Sequence, residues 1–127
     1  MTAREVVLSF WKAMERNDFE KASLWLSEDF ENYSPQSSEL ITGRKNFSAI
    51  NTHYPAEGRW KFTVNSIVCE GDQVVTDVSI TDGSLKAKAI TFHTVENGLI
   101  SKQTEYWPDD YPAPDWRKPW VTIQVSS

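Results

Sequence analysis

Apolar side chains recur every three to four positions through the first part of the chain, and from Arg59 onward they alternate. That change of period predicts helices first and strands afterwards. Thr2 and Glu5 have capping-box spacing, in which each side chain satisfies a free backbone N–H of a first helical turn. Val6, Val7, Phe10, Trp11 and Met14 then form one apolar stripe. Asn17-Asp18 ends that helix and caps a second, which carries Phe19, Ala22, Trp25 and Leu26. Residues 30–35 read as extended, because Pro35 pushes its predecessor out of helical geometry. A third helix follows Thr42-Gly43, with Phe47, Ile50 and Tyr54 inward and Pro55 at its end.

Three turn dipeptides divide the next stretch into an antiparallel meander: Gly71-Asp72, Asp82-Gly83 and Asn97-Gly98. Strands are expected over 59–70, 73–81, 84–96 and 99–107. Two-residue turns would also set the register, pairing Glu70 with Gln73, Thr81 with Ser84 and Glu96 with Leu99. One face then holds Trp60, Phe62, Val64, Val68, Val75, Ile90, Phe92 and Trp107, with Ser66, Asp77, Lys88, Gln103 and Glu105 among them. The other holds Val74, Val78, Ile80, Ala87, Ala89 and Tyr106, with Thr76, Thr91, His93 and Thr104. A bulge in any strand would exchange the faces locally. Beyond Trp107 come Pro108, Pro112, Pro114 and Pro119, interspersed with Trp116, Arg117 and Trp120. This segment is expected to pack back as an ordered lid or edge, with Val121, Ile123 and Val125 as a short final strand.

Composition narrows the function. A chain of 127 residues fits a single domain over 1–127. Six Trp, six Phe and four Tyr are more rings than a packed core of this size needs, so a pocket or an interface is expected. A formal charge of −5, with scattered Lys and Arg, argues against a nucleic-acid surface. Hydrophobic runs are too short to span a bilayer, and no signal peptide is read at the N-terminus. The expected setting is cytoplasmic. Cys69 is alone and is read as a small buried apolar residue. His53 and His93 lie on different elements, so no metal site is expected. His93 falls on the face opposite Glu105 and is read as a surface or interface residue.

Carboxylates on an apolar face must be paired, hydrated in a cavity, or exposed at a rim. In an aromatic pocket Glu105 would have its pKa raised toward the range useful for acid/base work. The other reading of Glu105 is a structural ion pair. Asp77 faces Lys88 across the strands in the expected register, an ordinary stabilising pair. Tyr33 either donates to a substrate oxygen or packs with its hydroxyl at the rim.

The order helix–helix–extended segment–helix–meander resembles the nuclear transport factor 2-like superfamily, and within it the SnoaL-like branch. The residues that carry the resemblance are Arg59-Trp60-Lys61-Phe62, Glu70-Gly71-Asp72, Val95-Glu96-Asn97-Gly98-Leu99-Ile100, and Glu105-Tyr106-Trp107 running on to Ala113-Pro114-Asp115-Trp116-Arg117. The resemblance implies an α+β, cystatin-like cone: three N-terminal helices on a curved antiparallel sheet enclosing a pocket. It also implies a homodimer. Similarity to limonene epoxide hydrolases places their catalytic acid at Glu105 and their second aspartate at Asp77. Their bridging arginine would fall at Val75, and their Tyr-x-Asn pair at Glu31 and Tyr33. In the steroid isomerases an aspartate base precedes a proline, where this chain has Ser34 before Pro35.

The expected function is therefore a cofactor-independent enzyme doing acid/base chemistry on a small apolar organic molecule, of isomerase, hydrolase, dehydratase or cyclase type. Glu105, Asp77 and Tyr33 are its candidate catalytic residues. Trp60, Phe62, Val75, Lys88, Ile90, Phe92, Gln103 and Trp107 are the expected pocket lining. The rival reading is a non-catalytic ligand-binding or interaction module of the same fold. The expected dimer contact is the convex face, through Val74, Val78, Ile80 and Tyr106.

Overall fold

A computed structural model describes residues 1–125. Helix α1 spans Ala3–Glu15 and opens with the expected capping box, Thr2 and Glu5 each bonding the other's backbone N–H. Its stripe of Val6, Val7, Phe10, Trp11 and Met14 is buried. Helix α2, Phe19–Ser23, is shorter than its apolar spacing suggests. Trp25 and Leu26 leave it, and Leu26 begins strand β1 (Leu26–Ser34) because its backbone pairs with the far end of the chain. Strand β2 (Glu39–Thr42) pairs antiparallel with β1, and α3 (Gly43–His53) follows with Phe47 buried.

Strands β3 (Lys61–Glu70), β4 (Gln73–Thr81), β5 (Lys86–Glu96) and β6 (Leu99–Tyr106) make the expected antiparallel meander. The curved sheet has the order β2-β1-β6-β5-β4-β3, and β1 runs parallel to β6. The helices cover one face, and the core lies between them and that face.

Turn chemistry explains where the register differs from expectation. At Asn97-Gly98 both residues have positive φ, 53° and 76°, and the two-residue turn forms. At Asp82-Gly83 it does not. The Asp82 carboxylate accepts the backbone N–H groups of Ser84 and Leu85, which widens the loop, and Thr81 pairs with Lys86. That two-residue slip preserves the faces. Two bulges do not. An extra residue, Asn65, interrupts the β3–β4 pairing, and Ser101 interrupts β5–β6. Trp60 and Phe62 therefore lie on the helix side, whereas Ser66 and Val68 lie on the outer side. Gln103 and Glu105 pair with His93 and Thr91 on the helix side.

Several expectations are corrected accordingly. Val74, Val78 and Ile80 are core residues under the helices, and the outer face instead exposes Val68, Phe92 and Tyr106. His93 is fully buried. Cys69 is exposed near the end of the edge strand β3. The tail forms a 3-10 turn over Asp115–Trp120 with Trp116 and Trp120 exposed, and no strand forms over 121–125.

Asn17 ties this architecture to the future site. Its φ of 60° sits in the left-handed region that ends α1. Its side chain accepts from the Trp60 N–H at 2.9 Å and donates to the Trp60 carbonyl at 2.7 Å, so the first turn of the chain grips the start of β3. Asn17→Ala should lower stability by about 2–3 kcal/mol, combining two lost hydrogen bonds with left-handed strain. Asn17→Gly removes the strain alone and should recover about 1 kcal/mol of that loss in urea unfolding.

Candidate functional site

Between the helices and the inner face of the sheet lies a cavity of about 470 Å³, within the range of small-molecule sites. Phe10, Trp11, Met14, Phe19, Phe47, Trp60 and Phe62 form most of its apolar wall. Asn32, Gln103 and Glu105 bring polar atoms to it, and Ser34, Gln36, Glu39, Asn51 and Asp109 add others. Trp107, just past β6, also lines it and is held by Gln36, whose amide accepts the Trp107 backbone N–H and donates to its carbonyl. A second depression of about 540 Å³ lies among Lys12, Glu15, Arg16, Arg59, Trp60 and Lys61, most of them long charged side chains.

Glu105 reaches the cavity because the Ser101 bulge turns the end of β6 inward. Thr91, directly across on β5, donates to Glu105 Oε2 at 2.8 Å. Desolvation raises the Glu105 pKa above its ordinary 4.5, while hydrogen bonding from Thr91, Asn32 and Trp107 pulls it back down in part. Among the described residues the one ion pair joins Lys88 to Asp77, at 3.6 Å on the outer face, so no cation neutralises Glu105.

A buried polar belt runs away from Glu105 across the sheet. Asn32 Nδ2 donates to Gln103 Oε1 at 2.9 Å, and Gln103 Nε2 donates to His93 Nδ1 at 3.0 Å. The remaining His93 proton therefore sits on Nε2, 2.8 Å from Thr76 Oγ1, which also accepts from the Trp11 indole at 3.3 Å. Burial holds the His93 pKa down at about 3, so the ring is neutral at every physiological pH. Asn32 Oδ1 is buried without a partner.

The structure gathers Trp60, Phe62, Gln103, Glu105 and Trp107 around the cavity. It does not bring the rest of the expected set there. Val75, Asp77, Lys88, Ile90 and Phe92 occupy the outer face, because the bulges separate them from the residues they were expected to join. Tyr33, exposed, points away from the cavity that its neighbour Asn32 lines. Sequence reasoning missed Asn32, Thr76, Thr91 and His93 as inward polar groups. The alternation of Thr76, Thr91 and His93 with the apolar Val74, Val78 and Ala89 was the available signal. No group of three or more His, Cys, Asp or Glu among the described residues could hold a metal ion. No helix among them is long and apolar enough to cross a membrane.

A long-stranded sheet wrapped by three helices around a cavity is the nuclear transport factor 2-like fold, and the chain belongs to the SnoaL-like domain family, whose pattern it matches over residues 7–103. A nuclear transport factor 2-like protein of unknown function from Burkholderia xenovorans is 31% identical, with a TM-score of 0.80, covering 98% of this chain and 95% of that one. A candidate ketosteroid isomerase from Kribbella flavida is 29% identical, with a TM-score of 0.89, covering 98% and 90%. An LEH-like epoxide hydrolase from M. tuberculosis, at 18% identity and a TM-score of 0.68 over 84% and 82% of the two chains, shares the fold. The chain matches none of the curated proteins.

His93 and Glu105 tilt stability in opposite directions. His93 has a folded pKa of about 3 against an ordinary 6.5, so its contribution is complete above pH 6.5 and is lost as pH falls toward 3. The slope is about 1.4 kcal/mol per pH unit. Glu105 has a folded pKa above 4.5, so its contribution is complete below pH 4.5 and is lost as pH rises through the folded value. From pH 4.5 upward, until Glu105 has ionised in the folded protein or His93 has lost its proton in the unfolded chain, the two oppose each other. Glu105→Gln should therefore steepen the rise of stability with pH in this window by up to about 1.4 kcal/mol per unit. Urea unfolding at three pH values checks it, and an unchanged slope would count against a raised Glu105 pKa.

Proposed function

We propose that this protein is a cofactor-independent enzyme that binds a small, largely apolar organic molecule in the cavity and moves a proton through Glu105. The observation that carries the reading is a carboxylate without a cationic partner, lining an aromatic cavity and accepting a 2.8 Å hydrogen bond from Thr91. A carboxyl group whose pKa is raised holds a proton more readily and can both take and return one, and the apolar wall limits competing water. The reaction is of isomerase, hydrolase, dehydratase or cyclase type. The Kribbella flavida and M. tuberculosis relatives carry names from the first two classes. Asp77 and Tyr33 lie outside the cavity, so the proposal rests on Glu105 alone.

A rival reading, a ligand-binding module without chemistry, is favoured by one observation. No second titratable side chain hydrogen-bonds Glu105. Two measurements separate the readings. Glu105→Gln keeps the shape and the Thr91 bond. In an enzyme it should cut turnover by about 10²–10⁴-fold on whichever of a panel of enolisable ketones, epoxides and β-hydroxy ketones the wild type converts. Its melting temperature at pH 7 should equal or exceed the wild type's, because the substitution removes an ionisable group from an apolar setting. Lower stability in Glu105→Gln, with no turnover of the panel by the wild type, would favour the binding module.

The outer sheet face is the proposed site of homodimerisation. Val68, Val75 and Phe92 stand in one row across β3, β4 and β5, with Ile90 and Tyr106 in the next. Phe92 and Tyr106 stack edge-to-face at 6.2 Å. Val68, Phe92 and Tyr106 are exposed in the single chain, an apolar patch of the kind that marks contacts. Light scattering should report a dimer for the wild type and a monomer for Phe92→Lys. A monomeric wild type at micromolar concentration would exclude this interface.

A further inference from the structure

We propose that the depression between the end of α1 and the start of β3 is a second binding site, which takes a phosphate ester and holds its phosphate group with Arg16 and Arg59. The inference is independent of the reading of Glu105.

Lysines and arginines that look scattered along the sequence converge here in the folded chain. Lys12 and Arg16 lie four residues apart, on one face of the last turns of α1. Arg59 and Lys61 lie two apart in extended chain, on one side of it, with the buried Trp60 between them. Four cations and one carboxylate, Glu15, give the depression a charge of +3 on a protein whose net charge is −5. All four cations are exposed, and among the described residues none is in an ion pair, since the one such pair joins Lys88 to Asp77.

Helix capping accounts for part of this gathering. The partial negative charge at the end of α1 attracts Lys12 and Arg16. Arg59 Nη2 also donates to the Glu15 carbonyl there, at 3.3 Å. It does not account for Lys61, which opens β3 opposite Thr81, nor for the donors that remain on both guanidinium groups. Like charges set this close repel one another, and an anion placed among them removes that cost.

The two pairs of cations are also held at a fixed separation. Asn17, directly after Arg16, bonds both the N–H and the carbonyl of Trp60, between Arg59 and Lys61, at 2.9 and 2.7 Å. The same amide donates to the Glu15 carbonyl at 3.2 Å. The backbone that carries the site is therefore ordered before any ligand arrives, which lowers the entropic cost of binding.

Charge and shape name the ligand class. Two guanidinium groups offer planar forks that match the oxygens of a phosphate, and Lys12 and Lys61 add point charges suited to a dianion. At about 540 Å³ the depression is larger than a phosphate ion and within the range of small-molecule sites. The esterified part of the ligand fills the remainder, where Glu15 offers an acceptor to a hydroxyl group. Trp60 lines both this depression and the aromatic cavity, so the two sites are neighbours that share a wall.

Titration of the intact protein with ribose 5-phosphate and with inorganic phosphate, at constant ionic strength, tests the site by calorimetry and by backbone amide shifts. The expected result is saturable binding of both, tighter for the ester, with shifts centred on Arg16, Asn17, Trp60 and Lys61. Arg16→Gln and Arg59→Gln should each weaken binding by about tenfold. Arg59→Lys, which keeps the charge and loses the fork, should restore only part of that loss. Glu15→Gln should tighten inorganic phosphate by about twofold, because it removes a repulsive charge. Lys45→Gln, on α3 outside the depression, should leave both affinities unchanged. Equal affinity for the two probes would overturn the ester and leave a site for free phosphate. The absence of saturable shifts at these residues up to about 10 mM would overturn the site altogether. So would a loss in Lys45→Gln as large as in Arg16→Gln, which would mean attraction by overall charge. Arg16 makes no hydrogen bond that holds the fold, so its variant reads binding even if Arg59→Gln is unstable.

Discussion

A single extra residue in β6, Ser101, decides which side of the sheet the last strand's polar side chains occupy. Strand side chains alternate, so one inserted residue exchanges the faces of everything that follows it. Without the bulge, Gln103 and Glu105 would stand beside Ile90 and Phe92 in the open. With it they meet His93 and Thr91 under the helices. The bulge at Asn65 acts in the same way on β3, placing Trp60 and Phe62 inward while Ser66 and Val68 go outward. The two irregularities are complementary, since the aromatic wall and the polar floor of the cavity each depend on one of them.

Those same residues would be a liability in a plain core. Buried polar groups are tolerated when they are hydrogen-bonded, and the belt from Trp11 through Thr76, His93, Gln103 and Asn32 meets that demand almost completely. The belt connects α1, β4, β5, β6 and β1, so its satisfaction depends on the whole sheet being in register. Its one unmet atom is Asn32 Oδ1.

Much of the architecture was legible in the sequence. The capping box, the α1 stripe and the Asn97-Gly98 turn are local features set by nearest-neighbour chemistry, and each forms as expected. The parts that escaped depend on distant partners. Leu26 looks helical by spacing and becomes strand because Ile100 pairs with it. Asp82-Gly83 looks like a two-residue turn and widens because the Asp82 carboxylate captures backbone N–H groups. The bulges carry no compositional mark, since Asn65 and Ser101 are ordinary strand-compatible polar residues. Glu105 was identifiable as a carboxylate on an otherwise apolar face and by the resemblance to the epoxide hydrolases. His93 shared its face with Val74, Val78 and Ala89 in the sequence pattern, but which face the helices cover was not legible there.

The parallel pairing of β1 with β6 bears on the order in which the chain can assemble. Every other adjacent pair of strands in the sheet is consecutive in the chain, whereas Asn32 meets Gln103 across 71 positions. During synthesis the first half of the molecule must wait, its strand edge unsatisfied, until β6 has emerged. Closing so long a loop is an entropic obstacle that local helix and hairpin formation does not remove. The cavity and its polar belt straddle that seam, so neither is complete until β1 has closed on β6.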